Sequence, residues 1–449
     1  MEGSLYTPGA GHSPPELVGR DALIQEWHRT LNSVAAQGRV AARDMLLTGP
    51  RGVGKTTMLT AYGRAASEQG FDVVNVQAIR HHESVVDALI TKARTKLEDG
   101  AGAWVKARNA VERLSGLNVG VAGLSVGIST RDDSTAAASR VNDPGAIAAA
   151  LATLSDAIRE DRGSGGLLIT VDELQAAHPS DLTLIAAALH RLNVDHPTAT
   201  VTFAASGLPH TPQVLTDAGV THPDRLFFQD DVPLTLTPEQ VELAVAVPAG
   251  RRGVSWHPDA LQAITNATNG YPAHVQLFAD AIWRVAPGPH RITLDDAKTG
   301  ITSAVQEVNR RTLSPRWNGL ADRSMEYMAA LALHGGEATT KQLATTLGRT
   351  APNLSMVRQR LLDQGDIYAP GRGQVRMAMP LLVPYALARY EESRAQSDTP
   401  ILSLDQMRAN QVREQSPSER SAPGLSRGTF EQGRQVTPPK TPPHREPGR

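Results

Sequence analysis

Residues Gly49 to Thr57 read GPRGVGKTT, directly after the apolar run Met45-Leu46-Leu47-Thr48 and directly before a helix-forming run, KTTMLTAYGRAA. Glycines at this spacing followed by Lys and Thr suit one kind of chemistry, the cradling of a phosphate chain. Gly49, Gly52 and Gly54 let the backbone curl until consecutive N–H groups face inward, and the helix behind them adds its positive end. Lys55 supplies a point charge for β- and γ-phosphates, and the Thr56 hydroxyl is placed to ligate Mg²⁺. The expected phosphate-binding loop is therefore Gly49, Pro50, Arg51, Gly52, Val53, Gly54, Lys55, Thr56 and Thr57, with ATP and Mg²⁺ as its ligands.

Two acids, Asp172 and Glu173, close a second apolar run, GLLITVDEL. A carboxylate at that place can hold the metal, mainly through its water shell, and its neighbour can orient and deprotonate an attacking water. Asp172 takes the first role and Glu173 the second. Ser206 ends a further apolar run, TATVTFAASGL, where a hydroxyl can reach the γ-phosphate or the lytic water. Arg225, in HPDRLFF, is a candidate for stabilising charge from a neighbouring subunit, which makes a homo-oligomer one expected partner.

These residues need a scaffold of strands with helices between them. A helix is expected from Asp21, carrying Leu23, Ile24, Trp27 and Leu31 at helical spacing. A second core strand is expected over 71–79, and an amphipathic helix places Val86, Leu89, Ile90, Ala93 and Leu97 on one stripe. Residues 117–129 read as a small hairpin, 130–141 as a loop, and Asn142-Asp143-Pro144 as the opening of another helix. Strands apolar on both faces, alternating with helices, imply an α/β core with a parallel sheet covered on both sides.

From Thr237 the pattern changes. TPEQ forms a capping box with Thr237 as N-cap, and the chain from there to 315 is helical in pattern, an all-α lid. Residues 316–394 run helix, helix, helix, strand, turn, strand, the order of a winged helix-turn-helix. Its third helix would present Asn353, Ser355 and Arg358, and its turn Arg372 and Arg376, to duplex DNA. Residues 1–15 and 395–449 are rich in Pro, Gly and polar residues and are expected to be disordered, which leaves 16–236 for the core.

The chain has 449 residues, a formal net charge of −1 and no cysteine. Near-neutrality excludes wholesale attraction to nucleic acid or anionic membrane, so DNA contact requires a local patch. The lack of cysteine excludes disulfides, thiolate zinc sites and a cysteine nucleophile. No apolar stretch has spanning length, and the N-terminus has no signal-peptide pattern, so the expected setting is cytoplasmic with no membrane partner.

With these elements in order, the chain resembles the extended AAA+ ATPases of the Orc1/Cdc6-like and STAND-related groups, and most the AAA-type ATP-binding proteins common in actinobacteria. The resemblance runs from about residue 15 to 392 and rests on ELVGRD, GPRGVGKT, LLITVDEL, FAASGLP, DRLFF, LTPEQ and GYPAHVQLFADAIW. It implies that Val18, Gly19 and Arg20 lie near the adenine, that Ser206 is the sensor-1 position, and that Gly270-Tyr271-Pro272 belongs to a lid over the nucleotide, with Pro272 among the binding residues. Where Orc1/Cdc6-like lids carry a sensor-2 arginine, this chain has Ala273 and His274, as in the G-x-P lid of STAND proteins. The expected function is Mg-dependent ATP hydrolysis that moves the winged domain as a switch. The alternatives are a STAND-type signalling or defence switch whose winged helix makes protein contacts, and a nucleotide-stabilised scaffold.

Overall fold

The computed structural model describes residues 4–9, 11–41, 44–80, 84–99, 102–109, 112 and 143–415. The hairpin and loop expected over 117–141 lie outside them. Five strands, β1 (Asp44–Thr48), β2 (Asp72–Gln77), β3 (Leu167–Asp172), β4 (Val201–Gly207) and β5 (Phe227–Asp231), pair in parallel in the order β2-β3-β4-β1-β5. Because successive strand residues point to opposite faces, Met45 and Leu47 enter one core while Leu46 enters the other. The first core is completed by α1 (Asp21–Gln37) and α2 (Lys55–Glu68), where Trp27 stacks on Tyr62 at 4.5 Å between centroids. The second is closed by α3 (Val85–Glu98), α4 (Gly102–Lys106), α5 (Pro144–Arg162) and α6 (Pro179–Asp195). α5 opens as expected, with the Asp143 carboxylate accepting from Gly145 N at 2.9 Å. Two short helices, α7 (Thr211–Asp217) and α8 (Pro223–Leu226), lead from β4 into β5.

The capping box at Thr237 is present in both directions: Thr237 accepts from Gln240 N and Gln240 accepts from Thr237 N. It starts α9 (Pro238–Gly250), followed by α10 (Pro258–Thr268), α11 (Pro272–Val285) and α12 (Leu294–Val308), with a two-residue strand pair, β6 (Ser255–Trp256) and β7 (Arg291–Ile292), between them. The C-terminal unit comprises α13 (Ser314–Asn318), α14 (Asp322–Leu333), β8 (Glu337–Thr339), α15 (Thr340–Thr346), α16 (Ala351–Gln364), β9 (Ile367–Tyr368), β10 (Gln374–Met377) and α17 (Leu382–Ala395). Its strands form an antiparallel sheet in the order β8-β10-β9. β8 has only three residues, too few for a period-2 pattern to be read in advance.

Both termini depart from expectation. Tyr6 is buried, its hydroxyl donating to Val245 O at 2.7 Å and its ring edge-on to Trp283. At the other end the chain remains ordered past 395 and forms α18 (Leu404–Gln415), with Leu404 and Met407 buried. Leu402 N donates to the buried Glu326 at 2.8 Å and Asn410 to Thr346 O at 3.1 Å. Polar composition misleads here because a preformed surface needs only a few anchors to order a short segment, whereas composition counts only what a segment could bury by itself. No described helix is long and apolar enough to cross a membrane.

Candidate nucleotide-binding site

Parallel strands deliver their C-terminal ends to one edge of the sheet, where ligands of open α/β folds bind. β4 lies between β1 and β3, with Leu47 beside Ser206 and Val171 beside Ala205. The loop after β1, the end of β4 and the acids after β3 therefore meet. Gly54 caps α2 at φ 97°, and Gly52 has φ 80°, both left-handed conformations that a side chain resists. A Cβ on Gly52 would also stand 2.5 Å from the Tyr271 hydroxyl, so α11 packs directly on the loop.

Lys55 is 5% exposed, and the one hydrogen bond it makes among the described residues goes to Pro50 O at 3.0 Å. Burial lowers the pKa of its ammonium, opposed by the nearby Glu173 and Asp172 carboxylates. A cation held in so dry a place is incompletely compensated, and a phosphate chain would complete it. The Thr56 hydroxyl donates to Asp172 Oδ2 at 2.6 Å, which sets side by side the two oxygens a magnesium ion would take. Among the described residues no cluster of three His, Asp or Glu could hold a metal by protein groups alone.

Glu173 sits at φ 56°, ψ 42°, left-handed for a residue with a side chain, which costs on the order of 1–2 kcal/mol. The reversal ends β3 at Asp172 and turns Glu173 into the same cleft as Lys55 and Thr56. Its Oε2 accepts from Gln175 Nε2 at 2.6 Å, and Gln175 Oε1 accepts in turn from Leu208 N at 3.0 Å. Gln175 thus holds the glutamate to the end of β4, a role that nothing in VDELQ announces.

The cleft has a volume of about 430 Å³ and is lined by Arg51 to Thr57, Glu173, Val18, Arg20, Pro272 and Ala273. Several expected residues differ from their sequence reading: Gly49 and Pro50 do not line the cleft, Gly49 N donating to Gly207 O and Pro50 O accepting from Lys55, and three more depart from it. Ser206 is fully buried and does not line the cleft; its hydroxyl donates to Asp172 Oδ1, so it fixes the carboxylate and does not reach toward phosphate. Gly19 faces Gln240 of α9. Arg20 is buried, with its guanidinium donating at 3.0 Å to the carbonyls of Gly19, Val53 and Pro233, and burial lowers its pKa to about 10. It ties the phosphate loop to the segments before α1 and after β5 and has few donors left for a base. Arg225 is exposed on α8, beside the edge strand β5 and away from the cleft.

Two groups in the cleft escaped the sequence reading, the N-terminal segment and Arg316. Residues Thr7–Gly9 and Gly11–Leu17 form one wall, fastened by Thr7 N to Gln276 Oε1 at 3.3 Å and by Glu16 to Arg251 at 2.7 Å. Tyr271, from the expected lid stretch, donates its hydroxyl to Arg51 O. Arg316, from α13 of the C-terminal unit, reaches the same cleft. His274, by contrast, packs between Tyr271 and Phe278, and burial lowers its pKa to about 4, so it stays neutral and faces the helical core.

In the C-terminal unit Asn353 and Arg372 are exposed. Arg376 is occupied by Glu337, with Nε donating at 2.9 Å, and by Tyr368 at 3.3 Å. Arg358 is half-buried, its Nε without a partner.

Comparison with known proteins agrees with this geometry. Residues 16–201 match the family described as AAA ATPase domain, and residues 310–386 match a domain of unknown function, DUF8462. No curated protein matches the chain. The ORC2 protein of Aeropyrum pernix, solved in ADPNP–ADP complexes, superposes with a TM-score of 0.54 at 14% identity, over 87% of this chain and 98% of that one. A Walker-type ATPase of Pyrococcus abyssi gives 0.52 at 14% identity, over 85% and 99%. At such identity these likenesses speak for the fold alone. The chain thus shares its fold with these two solved proteins, and its residues 16–201 match the AAA ATPase domain.

Proposed function

We propose that this protein binds ATP with Mg²⁺ and hydrolyses it, using the nucleotide state to move a C-terminal winged-helix domain. The observation that carries the reading is the Thr56–Asp172 hydrogen bond of 2.6 Å beside the buried Lys55, with Glu173 turned into the same cleft. When bound, Mg²⁺ supplies charge neutralisation at the β- and γ-phosphates, held by Thr56 and Asp172. Lys55 attracts the phosphates, and Ser206 keeps Asp172 oriented. Glu173 accepts a proton from the attacking water at its carboxylate, with Gln175 setting its direction. Arg225 beside the sheet edge is available to a neighbouring copy, which makes a homo-oligomer the arrangement in which it would act.

Steady-state ATPase of wild type and Lys55→Ala, each with and without duplex DNA, tests the reading. Turnover in wild type, lost in the variant, is expected; equal rates in the two would overturn it. DNA is the candidate partner of Asn353, Arg358 and Arg372, while Arg376 is already paired and would contribute less. A salt-sensitive mobility shift weakened by Arg372→Ala is the expected result.

A second reading, a STAND-type switch in which the winged domain makes protein contacts, is favoured by one observation. Gly365, directly after α16, packs on Arg51 of the phosphate loop, so the helix that would read DNA is docked on the nucleotide site. A nucleotide-dependent change from monomer to oligomer, with no response to DNA, would select it.

A further inference from the structure

Arg316 lies in the stretch matched by the domain of unknown function, yet it lines the cleft that holds Lys55 and Glu173. Its Nη1 donates to Asp366 Oδ1 at 2.8 Å, and Asp366 is almost completely buried. Asp366 follows Gly365, whose Cβ, if present, would stand 3.1 Å from Arg51 Nε. The Asp366 carboxylate is therefore paired with Arg316 of its own unit and lies within electrostatic reach of Arg51 of the phosphate loop. Burial raises its pKa and both arginines oppose that rise. The Tyr271 phenol, bonded to the Arg51 carbonyl, also feels the Arg316 charge, which sets the guanidinium beside the loop.

We propose that Arg316 discriminates triphosphate from diphosphate, exchanging Asp366 for the terminal phosphoryl oxygens and thereby loosening the C-terminal unit from the phosphate loop. The inference rests on the nucleotide reading above and assigns a role in it to residues 310–386. Three features support the exchange. Guanidinium binds carboxylate and phosphate with the same paired donor geometry, so one partner can replace the other. The charge of Arg51 still acts on Asp366 when Arg316 leaves, which lowers the cost of a buried carboxylate without its direct partner. Of the other two arginines that line the cleft, Arg20 is already committed to three carbonyls and Arg51 belongs to the phosphate loop itself.

The test is calorimetric titration of the full chain with ADP and with a slowly hydrolysed ATP analogue, both with Mg²⁺, for wild type, Arg316→Ala, Arg316→Lys and Asp366→Asn. Arg316→Ala is expected to weaken the triphosphate about tenfold while leaving ADP within about twofold. Arg316→Lys should fall between wild type and Arg316→Ala. Asp366→Asn, which frees the arginine, should tighten the triphosphate several-fold. A merely structural ion pair would instead make Arg316→Ala and Asp366→Asn shift both nucleotides in the same direction. That outcome, or an unchanged Arg316→Ala, overturns the inference while leaving nucleotide binding intact. A wild type that takes up neither nucleotide, as Lys55→Ala should not, overturns the underlying reading and this inference with it. Should Arg316→Ala fail to fold, the opposite signs expected of Asp366→Asn and Arg316→Lys decide the question.

Discussion

The two ends of the cleft are built on different principles. At the phosphate end each group comes from a strand terminus or the first turn of α2, and its neighbours are fixed by sheet register: Leu47 beside Ser206, Gln77 beside Asp172. At the other end the walls are residues 7–9 and 11–17 and the start of α11, brought together by tertiary contacts between parts of the chain remote in sequence. A site made of register is rigid, because moving one group means breaking strand pairing. One made of docked segments opens wherever its few anchors release. The contrast suggests that chemistry sits at the first end and control at the second.

The difference can be broken most severely at the phosphate end. Lys55→Ala is expected to lower affinity for ATP and ADP roughly 100-fold by titration calorimetry, since it removes a desolvated charge-assisted contact. Glu173→Gln should lower turnover by on the order of 10²- to 10³-fold while ATP affinity holds, which separates proton transfer from binding in a steady-state assay.

Tyr6→Ala attacks the other end. It removes a buried ring and its bond to Val245 O, and should weaken ATP by roughly tenfold through loss of the wall. Binding of inorganic tripolyphosphate, which needs only the phosphate end, should not change. Equal weakening of both ligands would erase the distinction between the ends.

The smallest effect is expected at Asp44, at the start of β1 and away from both. Burial pushes its carboxyl from 3.8 up to about 7, while Phe203 N donates to it at 2.8 Å. Its folded value is above its unfolded one, so the folded chain retains a proton that the unfolded chain releases. The associated stability is complete below the unfolded value and is lost as pH rises through about 7. Asp44→Asn keeps the acceptor for Phe203 N without the charge. In thermal unfolding at about pH 5 and about pH 8 the variant should lose less on going to the higher pH, by a few degrees in Tm, with ATP affinity unchanged.

What could be read beforehand obeys the same division. Gly52, Gly54, Lys55 and Thr56 are legible because a tight turn before a helix dictates its own residue types over a few positions, and so are Thr237 and Gln240 as a reciprocal cap. The parallel sheet is legible because Leu46, Leu47, Ile169 and Phe203 lie on strands buried on both faces. Ser206 marks the limit. Sequence places it at a strand end, but only the pairing of β4 with β3 decides that its hydroxyl meets Asp172. Arg20 is similar: the family resemblance implies a place near the adenine, and two of the carbonyls that occupy it, those of Val53 and Pro233, come from distant segments. Gln175, Tyr6 and Arg316 have no local signature at all, since each matters only through a partner far along the chain or across the fold.

The anchors of the 7–17 segment have a kinetic consequence. Tyr6, Thr7 and Glu16 all fasten to α9, its end or α11, and none of these three bonds goes to the sheet. An outward swing of those helices therefore carries the strap along, and it uncovers the sugar-base end and the phosphate end together. On the proposed function, nucleotide exchange would then be limited by one gate with one opening rate, set by whatever grips those helices from outside.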